Sequence, residues 1–166
     1  MSLLKIFLKE LELENEITKK MLQAIPEDKF DWQPHPKSMI IKTLATHIAE
    51  LPTWITMVLT TNELDFAKTP YNPPTLNNSK ELLDYCEKCY LDGKEHLEKA
   101  DESKLSDNWT MRSGDVIYDV SPKHEVIRMT INQIVHHRAQ LGVYLRLLNI
   151  PLPESYGPTA DSESAS

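Results

Sequence analysis

The chain has 166 residues, 18 Lys+Arg against 25 Asp+Glu for a formal net charge of −7, and a hydrophobic fraction of 40%. That length and apolar content suit one globular domain that folds by itself and exclude a disordered chain. Net acidity without a Lys/Arg-dense stretch removes the counterion release that drives most nucleic-acid association and disfavours an anionic membrane surface, so neither is expected as a partner.

No apolar run is long enough to span a bilayer, and residues 1–7 carry no secretory h-region, so a cytoplasmic protein is expected. The 4 glycines form neither a dinucleotide fingerprint nor a phosphate loop, which sets aside those enzyme classes. The 2 cysteines, Cys86 and Cys89, make a single C-x-x-C. Spaced i, i+3 in a helical segment, they read as buried core cysteines rather than as a zinc or redox pair.

Proline divides the chain, because it fixes φ, lacks the N–H and pushes the preceding residue away from helix. A first helix is expected over 3–25, with Leu4, Phe7, Leu8, Leu11, Ile17, Met21, Leu22 and Ile25 on one face. A second is expected over 39–61, capped by Ser38 and carrying Ile40, Leu44, His47, Leu51, Trp54 and Val58 on its apolar stripe. Pro52 lies inside it, so a kink is expected just after His47.

A third helix opens with Asn78 as N-cap and Glu81 three places on, and runs to about residue 100. Residues 109–120 alternate around Ser113-Gly114-Asp115 and predict a small β-hairpin. The last helix has Ser121 as cap, Pro122 at its first position, and an apolar pattern through Val126, Ile134, His137, Leu141 and Leu148. Four amphipathic helices bury their stripes against one another, so the expected class is all-α: a four-helix bundle over 1–160 with long connections and a hairpin before the last helix. Residues 161–166 are expected to be a frayed polar tail.

Of the 6 histidines, His47 sits three after Leu44 and four before Leu51, and His137 sits three after Ile134 and four before Leu141. Helical phase turns both inward, from different helices. Spacing alone fits either two hydrogen-bonded core histidines or two ligands of one metal ion. Gln133 stands one turn before His137 on the same face, while His136 is about 100° around the helix. Glu50 follows His47 by one turn and could orient it or act as a base.

Several segments carry a wider resemblance: Ile25-Pro26-Glu27-Asp28-Lys29-Phe30-Asp31-Trp32, Pro34-His35-Pro36-Lys37-Ser38-Met39 and Leu44-Ala45-Thr46-His47-Ile48-Ala49-Glu50. With them go Asn132-Gln133-Ile134-Val135-His136-His137-Arg138-Ala139-Gln140-Leu141 and Tyr156-Gly157-Pro158-Thr159-Ala160-Asp161. On these the chain resembles the DinB-like (YfiT-type) superfamily of four-helix-bundle metalloenzymes. The resemblance implies a divalent metal such as Zn, Ni or Mn held by three histidines, one on the second helix and two spaced H-x3-H on the last. By position these fall on His47, Gln133 and His137, so this chain has an amide where the family has its first last-helix histidine. An amide oxygen is a poorer zinc donor than imidazole, so a site of the right shape with weak occupancy is expected.

The resemblance further implies a thiol-dependent S-transferase using a low-molecular-weight thiol cosubstrate on a small electrophile, and a homodimer. Two other readings stand beside it. One is a non-catalytic bundle with a degraded metal site that serves ligand binding or protein interaction. The other is a metal-dependent hydrolase with Glu50 as general base.

Overall fold

Local capping and backbone chemistry determine where each helix begins in the computed structural model, which describes residues 2–162. Helix α1 spans Leu3–Gln23, with the Ser2 hydroxyl accepting from the Lys5 amide. Helix α2 spans Ile41–Glu50 and has no side-chain cap. Its first amides, Ile41 and Lys42, donate instead to the carbonyls of Trp32 and Phe30 at 2.9 and 2.8 Å, so the preceding turn replaces the expected Ser38 cap.

Pro52 divides the expected second helix. Helix α3, Pro52–Thr60, follows α2 after the single residue Leu51. The proline cannot donate to the carbonyl one turn back, and the ladder lapses there. Thr53 Oγ1 donates to the Glu50 carbonyl at 2.8 Å and covers part of the deficit.

Helix α4, Ser79–Lys99, starts at the expected Asn78 cap. Asn78 Oδ1 accepts from the Glu81 amide at 2.9 Å while Glu81 Oε2 accepts from the Asn77 amide at 2.8 Å. Gly93 lets this helix close on the α2–α3 junction, since a Cβ there would lie 2.6 Å from the Pro52 carbonyl oxygen.

Three strands follow a different plan from the expected hairpin alone. Strands β2 (Asn108–Ser113) and β3 (Val116–Pro122) pair antiparallel around Gly114, whose φ of 57° suits glycine. The short β1 (Glu63–Asp65) adds in parallel to β2, with Leu64 opposite Met111. Helix α5, Lys123–Leu147, begins where β3 ends. Ser121 is paired with Trp109 in the sheet and does not serve as its cap.

The fold is mostly helical, as expected, and the hairpin before the last helix is present; among the described residues, however, 5 α-helices and a mixed 3-stranded sheet stand in place of a strict four-helix bundle. The physical reasons are Pro52, which breaks one helix into two, and a three-residue strand too short to leave a periodic signal. Helices α4 and α5 each pack against α1, α2 and α3. Of the expected tail, Asp161 bonds Arg146 at 2.6 Å and the Leu152 amide at 2.9 Å. Residues 163–166 lie outside the described residues.

The core falls into two apolar clusters. One, on the sheet side, holds Phe7, Leu11, Leu51, Ile55, Trp109 and Ile134; the other holds Met21, Leu22, Leu44, Ile48, Cys86 and Leu141. Between the clusters lie polar side chains, Glu14, Asn15 and Thr18 on α1, Glu50 at the end of α2, His137 and Arg138 on α5, alongside the buried Ile17 and Cys89. Arg138 is 3% exposed and meets Glu14 at 2.6 Å, with further bonds to the Glu14 carbonyl and Thr18 Oγ1. Tyr156 donates to the same Glu14 carboxylate at 2.7 Å.

Removing one member of a buried pair leaves an uncompensated charge, whereas removing both with apolar fill is nearly neutral. Arg138→Met is expected to lower stability by roughly 3–5 kcal/mol, and the double variant Glu14→Leu/Arg138→Met to recover most of that loss. Urea unfolding of the three proteins checks it; equal losses in the single and double variants would show that the pair is not the cause.

Candidate functional site

The polar layer opens to a cavity at the α2–α3 junction. His47, near the end of α2, lines it, and behind that wall meets His137 of α5 edge to face with ring centroids 4.8 Å apart. The inward phase of both helices is what brings them together. A cavity of about 260 Å³ is lined by His47, Leu51, Trp54, Met111, Met129 and Gln133, so it lies against the α2–α3 junction. Gln133 thus shares the cavity with His47, one turn before His137.

Each ring is oriented through its Nδ1. Glu50 Oε1 lies 2.8 Å from His47 Nδ1, and Gln140 Oε1 lies 2.8 Å from His137 Nδ1. Both partners are oxygen acceptors, so each Nδ1 donates to its partner and each ring is left with Nε2 for a further contact. Tyr71, from the proline-rich connection after β1, donates to the same Glu50 oxygen at 2.5 Å. The His47 side chain is 23% exposed and that of Glu50 only 9%, so the imidazole–carboxylate pair is largely buried, while Tyr71 closes over it from the surface.

Burial lowers the pKa of His137 below its ordinary value, against the opposing Gln140 bond, and the neighbouring His47 and His136 lower it further. His137 therefore favours the uncharged imidazole at neutral pH. His136 is exposed and stacks edge to face on His137 at 4.9 Å. The remaining histidines stand elsewhere: His35 Nδ1 accepts from the Lys37 amide, His96 bonds the Asp92 carbonyl, and His124 bonds the Leu105 carbonyl.

Cys86 and Cys89 are buried free thiols on α4. Burial pushes them up to about 12 and about 11, so both stay thiols at neutral pH. Among the described residues no group of three His, Cys, Asp or Glu side chains could hold a metal ion. Two imidazoles meet, and the Gln133 side chain lines the cavity beside His47. Two positioning residues escaped the sequence reading. Gln140 lies three places after His137, a spacing that could have been tested for the orienting bond, whereas Tyr71 reaches Glu50 from a loop that periodicity does not place.

Comparison with known proteins fits this arrangement to a family. The family model described as DinB family matches residues 1–163. The chain belongs to the DinB family. A DinB-like protein from Bacillus subtilis shares the fold with a TM-score of 0.71 at 15% identity, over 92% of this chain and 99% of that one. Another DinB-like protein, from Bacillus cereus, has a TM-score of 0.70 at 22% identity, over 90% and 95%. A mycothiol-dependent maleylpyruvate isomerase has a TM-score of 0.62 at 16% identity, over 84% of this chain and 60% of its own. No curated protein matches by sequence. No helix among the described residues is long and apolar enough to cross a membrane.

For a base whose folded pKa is lowered, the unfolded chain binds more protons below its ordinary value, so stability falls as pH drops through that range. Chelator-treated protein is expected to lose stability between about pH 7 and the lower folded pKa of His137, and His137→Gln to flatten that decline. Urea midpoints measured across this range check it; identical slopes in both proteins would contradict the assignment.

Proposed function

We propose that this DinB-family chain is a metal-dependent enzyme that transfers a low-molecular-weight thiol to small electrophiles, with His47, His137 and Gln133 holding a divalent ion. The observation that carries this reading is the meeting of two imidazoles from separate helices, each tied through Nδ1 to an oxygen. Orientation through the second ring nitrogen is the usual support of a metal-binding histidine. Two imidazoles sharing one ion through bonds of about 2.1 Å would hold their ring centres about 5 Å apart, and these lie at 4.8 Å. The residues present fit Zn, Ni or Mn, with Gln133 as the weak donor.

A bound divalent ion would favour thiolate over thiol and raise the nucleophile's population at neutral pH. The chain's own residues supply the rest. Glu50 and Gln140 fix the two rings, and Tyr71 in turn holds Glu50. Leu51, Trp54, Met111 and Met129 wall the cavity with apolar and thioether surface that suits a sulfur nucleophile and a compact electrophile while excluding bulk water. The thiol dependence named for the maleylpyruvate isomerase that shares the fold supports a thiol as cosubstrate. The same reading takes a small molecule as partner, rather than nucleic acid or a membrane, and the cytoplasm as location.

Gln133 in the third ligand position favours one other reading, a binding protein that keeps the fold without turnover. A hydrolase is less well supported, because the carboxylate it would use as base, Glu50, already accepts from His47 and Tyr71.

Calorimetric titration of Zn, Ni and Mn into protein purified without a nickel column and stripped with chelator separates these readings. One ion per chain is expected, weakened by at least about tenfold in His47→Ala or His137→Ala and strengthened by at least about tenfold in Gln133→His. Thiol transfer to a chromogenic aryl halide is expected to rise with Gln133→His. No ion bound by either the parent or the Gln133→His variant, with fold intact, would leave the binding-protein reading.

A further inference from the structure

A second cavity, of about 210 Å³, opens against Glu50 and shares Glu50, Trp54 and Tyr71 with the site proposed above. Its walls include the rings of Trp54 on α3, Phe66 just after β1, Tyr71 in the connection and Tyr85 on α4. Prolines 70, 73 and 74 form part of its lining, and Tyr118 of β3 backs Phe66 with centroids 6.3 Å apart. Glu50 is the one charged residue in that lining, which contains no Lys or Arg.

The chemistry of such a lining is selective. Aromatic faces carry negative potential, and four of them around one buried carboxylate attract a cation and repel an anion. Glu50 spends Oε1 on both His47 and Tyr71, which leaves Oε2 outside those bonds. Burial raises both phenols above their ordinary pKa, and the Glu50 charge adds to each, so the rings stay neutral in a negative field. A primary ammonium is strongly hydrated and needs several acceptors, whereas an alkylated ammonium is satisfied by ring faces. The volume is below the roughly 300 Å³ of pockets for drug-sized ligands, so it suits a head group or a compact ion.

We propose that this cavity binds a small organic cation, an alkylated ammonium group held on the faces of Trp54, Phe66, Tyr71 and Tyr85 with the Glu50 carboxylate as countercharge. Trp54 walls both cavities, so a ligand here would lie beside the His47 site without depending on a metal.

Choline and its uncharged carbon isostere, in which a tert-butyl group replaces trimethylammonium, test the idea by calorimetric titration of chelator-treated full-length protein. Saturable choline binding is expected, with the isostere at least about tenfold weaker. Tyr85→Leu and Trp54→Leu are each expected to weaken choline by about tenfold, while Tyr85→Phe and Trp54→Phe retain most of it. Absence of saturable choline binding, equal affinity for the isostere, or indifference to the Leu variants would overturn the proposal. The isostere comparison uses the parent protein, so it decides the matter even where a Leu variant fails to fold. Because no metal is present, a negative zinc titration leaves this outcome untouched, and a negative choline titration leaves the thiol-transfer reading untouched.

Discussion

Burying Glu14, Asn15, Thr18 and Arg138 midway along a helical core is tolerable only because their polar atoms find partners inside it. Arg138 reaches a carboxylate, a carbonyl and a hydroxyl on α1, and Tyr156 completes the shell around Glu14. Cys86 donates to Asn15 from α4 at 3.8 Å. The layer therefore locks α1, α4, α5 and the C-terminal segment in register, and the two apolar clusters close above and below it. His47 and His137 occupy the same level, held by that register rather than by their own contacts alone.

The site also depends on the lapse at Pro52. A continuous helix would carry the stripe of Ile40, Leu44 and Leu51 straight on, with an unbroken backbone ladder at the level of His47. Instead α3 sets off after Leu51, Gly93 lets α4 close against the junction, and Trp54 stands between two cavities. Glu50, the last residue of α2, faces both the His47 ring and the aromatic-lined space. One carboxylate thus couples an imidazole to a region of negative potential.

Much of this was legible in the residues. The phase of Leu44, His47 and Leu51, and of Ile134, His137 and Leu141, placed both imidazoles inward, because a 3.6-residue repeat leaves little freedom once the apolar neighbours are buried. Asn78 with Glu81 marked the start of α4, since capping is a local interaction. What escaped was non-local. Strand β1 exists only because β2 is there to pair with it, 47 residues away in the register Glu63 to Thr110. The start of α2 depends on carbonyls of Phe30 and Trp32 in a folded turn, and Tyr71 finds Glu50 through a loop whose path no periodicity encodes. Arg138 likewise looked like part of a site motif, while its partner lies on the first helix.

The separation of 124 residues between Arg138 and the Glu14 carbonyl it binds bears on synthesis at the ribosome. Helix α1 emerges before α5 and carries a carboxylate meant for the interior, so its countercharge is translated later. Until α5 has left the exit tunnel, docking α1 would strand an unneutralised anion away from water. A fragment that lacks α5 therefore lacks the partner that makes burial of Glu14 tolerable.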